Sequence, residues 1–307
     1  MNASLGLGGA PLGNLYRPVS EAEARATVDA AWTAGVRVFD TAPLYGHGLS
    51  ERRMGAALRD RPRQEYRLST KVGRLLVEGA DPDSIFVDVP AVRPVFDFSA
   101  DGVLRSFEAS LERLGLDRVD VLLVHDPDDH AEEALQGAFP ALRRLRDEGV
   151  VDAIGAGMNQ SELLSRFVRE ADIDCVLIAG RWSLLDREAG ENLLPLCAER
   201  GVAVMAGGVF NSGLLAQPSD AGATFDYGKP TARLVATARR MDEACFAHGV
   251  PLRAAAMQFA ARHPAVTTVL TGARSAQEIS SNGADFGLPV PEELWSELDA
   301  IAGQLSR

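Results

Sequence analysis

The sequence predicts an α/β fold of the (β/α)8 barrel type. Three observations predict it: eight short β-branched or apolar runs, a helix-spaced segment after each of them, and no intact glycine fingerprint of a dinucleotide-binding sheet. The chain has 307 residues, and no charge block or low-complexity tract divides it. Residues 1–307 are therefore read as one barrel domain with an extra C-terminal helix.

Taken in order, buried strands are expected at 5–7, 36–40, 67–71, 119–125, 151–157, 175–179, 202–206 and 267–271. Helices are expected at 21–34, 50–59, 101–114, 161–170, 191–200, 231–248 and 275–286. Within 101–114, Leu104, Phe107, Leu111 and Leu114 recur at intervals of three and four and should share one buried face. Pro140 should break the segment "HAEEALQGAFPALRRLRDEG", leaving a firm helix from about Pro140 to Glu148 with Gly149 as its cap. Pro251 reads as the first residue of an additional helix and Pro291 opens the C-terminal one.

The rival fold needs G-x-G-x-x-G after its first strand. Here "GLGGAP" puts Pro11 at the last glycine position, "GAGMNQ" misses likewise, and "GVFNSG" lacks the lysine of a phosphate loop. The barrel reading stands.

Composition narrows the function. With 43 acidic against 31 basic residues, the net charge is -12, which argues against a nucleic-acid partner. Cys175, Cys197 and Cys245 are too far apart for a CxxC metal site, and their odd number speaks against a disulfide framework. His47, His130, His248 and His263 show no zinc-ligand spacing. The N-terminus lacks a basic signal region, and no apolar run approaches the roughly 18 residues of a membrane span. A soluble cytoplasmic protein, monomeric or weakly self-associating and with no membrane partner, is the expectation.

In such a barrel, polar residues at the C-terminal strand ends converge on one mouth. Asp40 ends the second strand, Lys71 the third and His125 the fourth; Tyr45 follows the second strand and Asn159 the fifth. Each has an ordinary explanation by itself: a turn aspartate, a strand-end lysine, a satisfied core histidine, a helix cap. Together they form a proton-handling set. A free phenol titrates near about 10, and a neighbouring ammonium favours its phenolate. An aspartate would keep that buried lysine charged, and a histidine beside the phenol would orient a substrate oxygen. Lys71 also leaves a Schiff-base aldolase open as a rival reading.

The segments "FDTAPLYGHGLSE", "STKVG", "LLVHDPD" and "GAGMN" resemble those of the aldo/keto reductase superfamily, in residues and in order. The stretches "APLGNLYRPVSEAEA" and "FSADGVLRSFEASLERLGLDRVDVLLVHDPDDH" are similar to its aldose dehydrogenase branch. The resemblance implies that Asp40, Tyr45, Lys71 and His125 are a catalytic tetrad and that Asn159 holds a nicotinamide carboxamide. It implies an NAD or NADP cofactor bound by the last two strand–helix units, through Gly207, Phe210, Gly213, Leu214, Gly272, Arg274, Ser275, Glu278 and Asn282. It further implies oxidation of an aldose hemiacetal at C1, with pyridoxal oxidation or general carbonyl reduction as alternatives. Some relatives are cofactor-binding regulatory subunits, a further alternative.

The chain departs from the family pattern in places. Glycine stands at Gly207 where a stacking aromatic is common, which leaves Phe210 as a substitute, and Ala179 replaces a glutamine. The lysine–serine pair and arginine of NADP-preferring members fall on Gly272, Ala273 and Glu278; a carboxylate there repels a phosphate and favours NAD. Ser275 is equally well explained as a helix cap. The loops 77–98, 181–186 and 211–229 are the expected pocket walls, and Trp182 reads equally well as a pocket residue or as packing.

Overall fold

A computed structural model describes residues 3–218, 224–226 and 228–305. Eight parallel strands close into a barrel. They are β1 (Ser4–Gly8), β2 (Val38–Asp40), β3 (Arg67–Val72), β6 (Val121–His125), β7 (Ala153–Met158), β8 (Cys175–Ala179), β9 (Ala203–Gly207) and β10 (Val266–Gly272), in the order β1-β10-β9-β8-β7-β6-β3-β2. All eight expected strands are present, each shifted by no more than two residues at an end. Their apolar runs are continuous because both faces are covered, by helices outside and by packed side chains within. Leu123, Leu177, Met205 and Leu270 fill the interior with Cys175.

The helices around the barrel are α1 (Glu21–Thr33), α2 (Leu49–Leu58), α3 (Ala100–Leu114), α4 (Ala131–Glu133), α5 (Phe139–Asp147), α6 (Ser161–Glu170), α7 (Leu193–Arg200), α8 (Ala232–Ala247), α9 (Leu252–Ala260), α10 (Ala276–Phe286) and α11 (Glu292–Ala302). Their starts follow capping chemistry. Ser20 and Glu23 form a reciprocal capping box on α1, and Ser99, Thr231 and Ser275 cap α3, α8 and α10 through their hydroxyls. Pro251 and Pro291 sit one position earlier than expected, as N-caps of α9 and α11. The C-terminal helix α11 buries Leu294, Leu298 and Ile301 in a core shared with Met241 and Cys245 of α8. None of the described helices is long and apolar enough to cross a membrane.

Three expectations are corrected. The buried face of α3 runs through Val103, Phe107 and Leu114, while Leu104 is exposed at its edge and two small residues, Ser106 and Ser110, complete the contact. Pro140 does not break its helix. The chain widens into a π turn over Ala134–Ala138, where the Phe139 N–H reaches back to the Ala134 carbonyl and the ladder passes the missing proline donor. Between β3 and α3, the segment expected as a loop forms an antiparallel hairpin, β4 (Arg74–Glu78) with β5 (Val92–Phe96). Pro94 is tolerated there because a two-stranded ribbon has only edge strands.

Backbone packing is tight at Gly155 in β7, where a Cβ would lie 1.8 Å from the Cys175 carbonyl oxygen. Gly155→Ala should therefore lower stability by about 2 kcal/mol or more, read as a reduced urea midpoint at unchanged slope.

Candidate active site

The mouth of the barrel assembles from strand ends. Asp40 closes β2 and is 3% exposed; Lys71 lies near the end of β3 and is 1% exposed. The Lys71 ammonium donates to both carboxylate oxygens of Asp40, at 2.9 Å and 2.7 Å, and to the Thr41 carbonyl at 2.9 Å. Ser69 donates its hydroxyl to Asp40 Oδ1 at 2.7 Å. Every donor of the ammonium is thus directed, as a buried charge requires.

Tyr45 is set above this pair by a turn that only glycine permits. Gly46 has φ +63, and a Cβ there would lie 2.3 Å from the Gly13 carbonyl oxygen, so the β1 and β2 loops are pressed together beside the tyrosine. The Tyr45 N–H donates to the Ala42 carbonyl, and the Tyr45 carbonyl accepts from the Ser50 N–H. The ring centre then lies 4.6 Å from Lys71 Nζ. It meets the His125 imidazole edge-on at 5.8 Å between ring centres. Phe86, from the tip of the hairpin, covers another side at 6.1 Å.

His125 is buried, and burial together with the charges of Arg74 and Lys71 holds its imidazole well below the ordinary histidine range. It is neutral near pH 7 and so offers one donor and one acceptor. The four residues Asp40, Tyr45, Lys71 and His125 are therefore brought together as the spacing of the strands predicts.

Asn159 immediately follows β7 and lines a small, open cleft with Ala179, Gly180, Arg181, Gly208 and Asn211. Gly208, at φ +64, lets the loop after β9 approach the backbone of Gly180, where a Cβ would meet the Gly180 nitrogen at 2.7 Å. Arg181 is held by Asp226 at 2.9 Å and by Asp186 at 3.3 Å. Arg181 of the loop 181–186 and Asn211, Ser212 and Asp226 of the loop 211–229 line this cleft; residues 219–223 and 227 of the second loop lie outside those described.

Individual positions refine the sequence reading. Trp182 is a packing residue instead of a pocket wall: its indole N–H donates to the Ala260 carbonyl at 3.1 Å and its ring lies against Phe259. Leu214 has its side chain wholly within the core, so only its backbone can face a ligand. Phe210 is half-buried and packs against both large core clusters. Gly207 ends β9 buried beside Leu177, while Gly213, at φ +108, has open space where a Cβ would stand.

At the other end, Gly272 closes β10 and Arg274 leads into α10. Ser275 accepts from the Glu278 N–H, which is the capping role. Glu278 accepts from the Arg274 N–H at 2.9 Å and lies 3.7 Å from Arg17. Asn282 is buried one turn further along the helix.

A model of the aldo/keto reductase family matches residues 4–302. The chain belongs to the aldo/keto reductase family. It is 45% identical over 305 residues to a D-threo-aldose 1-dehydrogenase from Pseudomonas sp, covering 96% of this chain and 92% of that one. It is 43% identical over 317 residues to a pyridoxal 4-dehydrogenase from Microbacterium luteolum, with the same two coverages, 96% and 92%. Among solved structures, an aldo-keto reductase from Bacillus halodurans in its holo form superposes with a TM-score of 0.76 at 26% identity, over 97% of this chain and 91% of that one. As a member of this family the protein is an oxidoreductase, and aldo/keto reductases use NAD(P)H.

The residues of this aldo/keto reductase fit such a cofactor. Asn159 supplies an amide at one end of the rim, Gly208 lines the same cleft, and glycine backbone is open at Gly213. At the other end, the Thr271 hydroxyl and the Arg274 Nε are buried with no partner among the described residues, beside the N-terminus of α10. Such a donor set suits an anionic, ribose-bearing chain.

Sequence reasoning passes over Arg74 and Asp126. Arg74 donates to Asp126 Oδ2 at 2.8 Å, and the same oxygen lies 3.4 Å from His125 Nε2. Only the unusual run His125-Asp126-Pro127 hinted at them.

A depressed histidine carries a signed consequence. Below the ordinary histidine range the unfolded chain binds a proton that the folded chain refuses, so this contribution to stability is lost as pH falls from about 6.5. Urea titrations should show the wild type losing stability between about pH 6.5 and pH 5 more steeply than His125→Gln. Parallel curves would mean that His125 titrates normally.

Proposed function

We propose that the protein oxidises the cyclic hemiacetal of an aldose at C1 to the lactone, with NAD as its preferred cofactor. The carrying observation is Tyr45 standing over a buried, fully directed Lys71 ammonium and edge-on to a neutral His125. The similarity to a D-threo-aldose 1-dehydrogenase supports the substrate class.

The chain's own residues divide the work. Lys71, kept charged by Asp40, favours the deprotonated form of the Tyr45 phenol. Tyr45 then accepts the proton of the anomeric hydroxyl as general base. His125, neutral, orients the same oxygen through a ring N–H. The chemistry the bound cofactor supplies is acceptance of the C1 hydride, which leaves the lactone. Asn159 holds its amide, while Arg274, Ser275 and Asn282 hold the adenosine end. The preference for NAD rests on Glu278, whose carboxylate repels a 2′-phosphate and accepts from a ribose hydroxyl. Phe86, from the hairpin's connecting loop, packs against the Tyr45 ring.

Pyridoxal also forms a cyclic hemiacetal, and the 43% identity to a pyridoxal 4-dehydrogenase keeps that substrate in the test. The experiment is a screen of NAD and NADP reduction at 340 nm across L-fucose, L-galactose, D-arabinose and pyridoxal. The expected result is turnover of an aldose with higher kcat/KM for NAD. Tyr45→Phe should lose roughly a thousandfold in kcat with cofactor affinity retained. Selective turnover of pyridoxal, a clear NADP preference, or an active Tyr45→Phe variant would each contradict the part of the reading it addresses.

A further inference from the structure

Beside the four residues just described lies a second polar pair that takes no proton itself. Asp126 follows His125 directly and adopts φ +43, a left-handed backbone that aspartate tolerates better than most side chains. The Asp126 N–H donates to the Gly157 carbonyl at 3.1 Å, which holds this conformation. The turn aims the carboxylate back toward the imidazole, with Oδ2 3.4 Å from His125 Nε2. Arg74, the first residue of β4, reaches across from the hairpin and donates to that same oxygen. Both side chains keep some exposure, 15% for Arg74 and 28% for Asp126. The Arg74 Nε is buried and has no partner among the described residues, although the guanidinium also covers the Phe96 ring.

The geometry points to Arg74 and Asp126 as a hydroxyl-recognition subsite that selects substrates carrying a hydroxyl on the carbon next to the reacting one, an inference that rests on the aldose reading. A substrate oxygen bound at the His125 imidazole would have the Asp126 carboxylate, 3.4 Å from Nε2, beside it to meet a neighbouring substituent of its carbon. In a cyclic aldose one neighbour of C1 is the ring oxygen, which has no proton to give. The other is C2, whose hydroxyl donates. An ionised carboxylate is acceptor-only, so it matches the C2 hydroxyl and not the ring oxygen. The guanidinium beside it presents donors to the next oxygen along the sugar. Simple aldehydes and ketones without that hydroxyl leave the desolvated pair unmatched, and a site built to bond a hydroxyl rejects the analogue that lacks it. The same pair therefore disfavours pyridoxal, whose neighbouring ring carbon is aromatic and bears no C2-type alcohol.

The test compares L-fucose with 2-deoxy-L-fucose, and D-arabinose with its 2-deoxy counterpart, in NAD reduction. Wild type should favour the hydroxylated sugar by at least about tenfold in kcat/KM, the size expected of a hydrogen bond to a charged group. Asp126→Asn suits the left-handed backbone, and Arg74→Gln removes the charge from the other side. In both, the preference should fall to within roughly threefold, mainly through a raised KM for the hydroxylated sugar, with NADH affinity by fluorescence unchanged. Equal use of both sugars by wild type overturns the inference even if neither variant folds. So does a proportional loss on both sugars in the variants, which is the mark of a salt bridge that merely ties the hairpin to the barrel. A wild type inert on every aldose yet active on another carbonyl compound overturns the aldose reading itself, and the inference falls with it.

Discussion

A lysine ammonium and an aspartate carboxylate share the inside of this barrel with almost no water, and much of the mouth is arranged around them. Lys71 and Asp40 are 1% and 3% exposed, so neither charge has solvent to fall back on. Removing one partner of such a pair costs on the order of 3–5 kcal/mol, because the other charge is left stranded. The fold meets this demand with neighbouring groups: the Thr41 carbonyl accepts from the ammonium, and the Ser69 hydroxyl donates to the carboxylate. These partners come from β2, β3 and the residue that follows β2, which pair in register from Val38 with Arg67 to Asp40 with Ser69. A slip of one residue would turn Lys71 out of the barrel.

From this pair the chemistry spreads outward in layers. Tyr45 is held over the ammonium by the Gly13–Gly46 contact, and His125 closes its edge. Beyond them the Arg74–Asp126 pair and the tip of the hairpin form the outer rim on one side. On the other side the loops after β8 and β9 meet at Gly180 and Gly208 and form the cleft with Asn159. His47, buried just after Tyr45, lies 3.1 Å from Asp81 and 3.3 Å from Ser84, which fastens the hairpin's connecting loop to the tyrosine turn.

The barrel strands and the four residues at or just after strand ends were readable because each depends on local order. A β-branched run with a polar residue at its exit states both its strand and its position on the rim. What escaped was set by contacts between distant segments or by unusual backbone. The hairpin was hidden by Pro94, a residue that counts against a strand unless every strand is an edge. Pro140 announced a break, yet a π turn absorbed it. Trp182 stayed open between pocket and packing because nothing in its neighbours reveals the Ala260 carbonyl 78 positions away. Asp126 stood beside a recognised histidine, but its aim depends on a left-handed φ that sequence pattern does not state.

The central claim is that the Lys71 charge, maintained by Asp40, makes Tyr45 competent to take a proton near neutral pH. Replacing both members together, Asp40→Asn with Lys71→Met, removes the charges without leaving either one buried alone. The direct measurement is the pH dependence of kcat/KM for aldose oxidation in this double variant. The account predicts that the pH at which the rate stops rising moves up toward that of a free phenol, near about 10. A profile with the wild-type midpoint, scaled only in height, would contradict it.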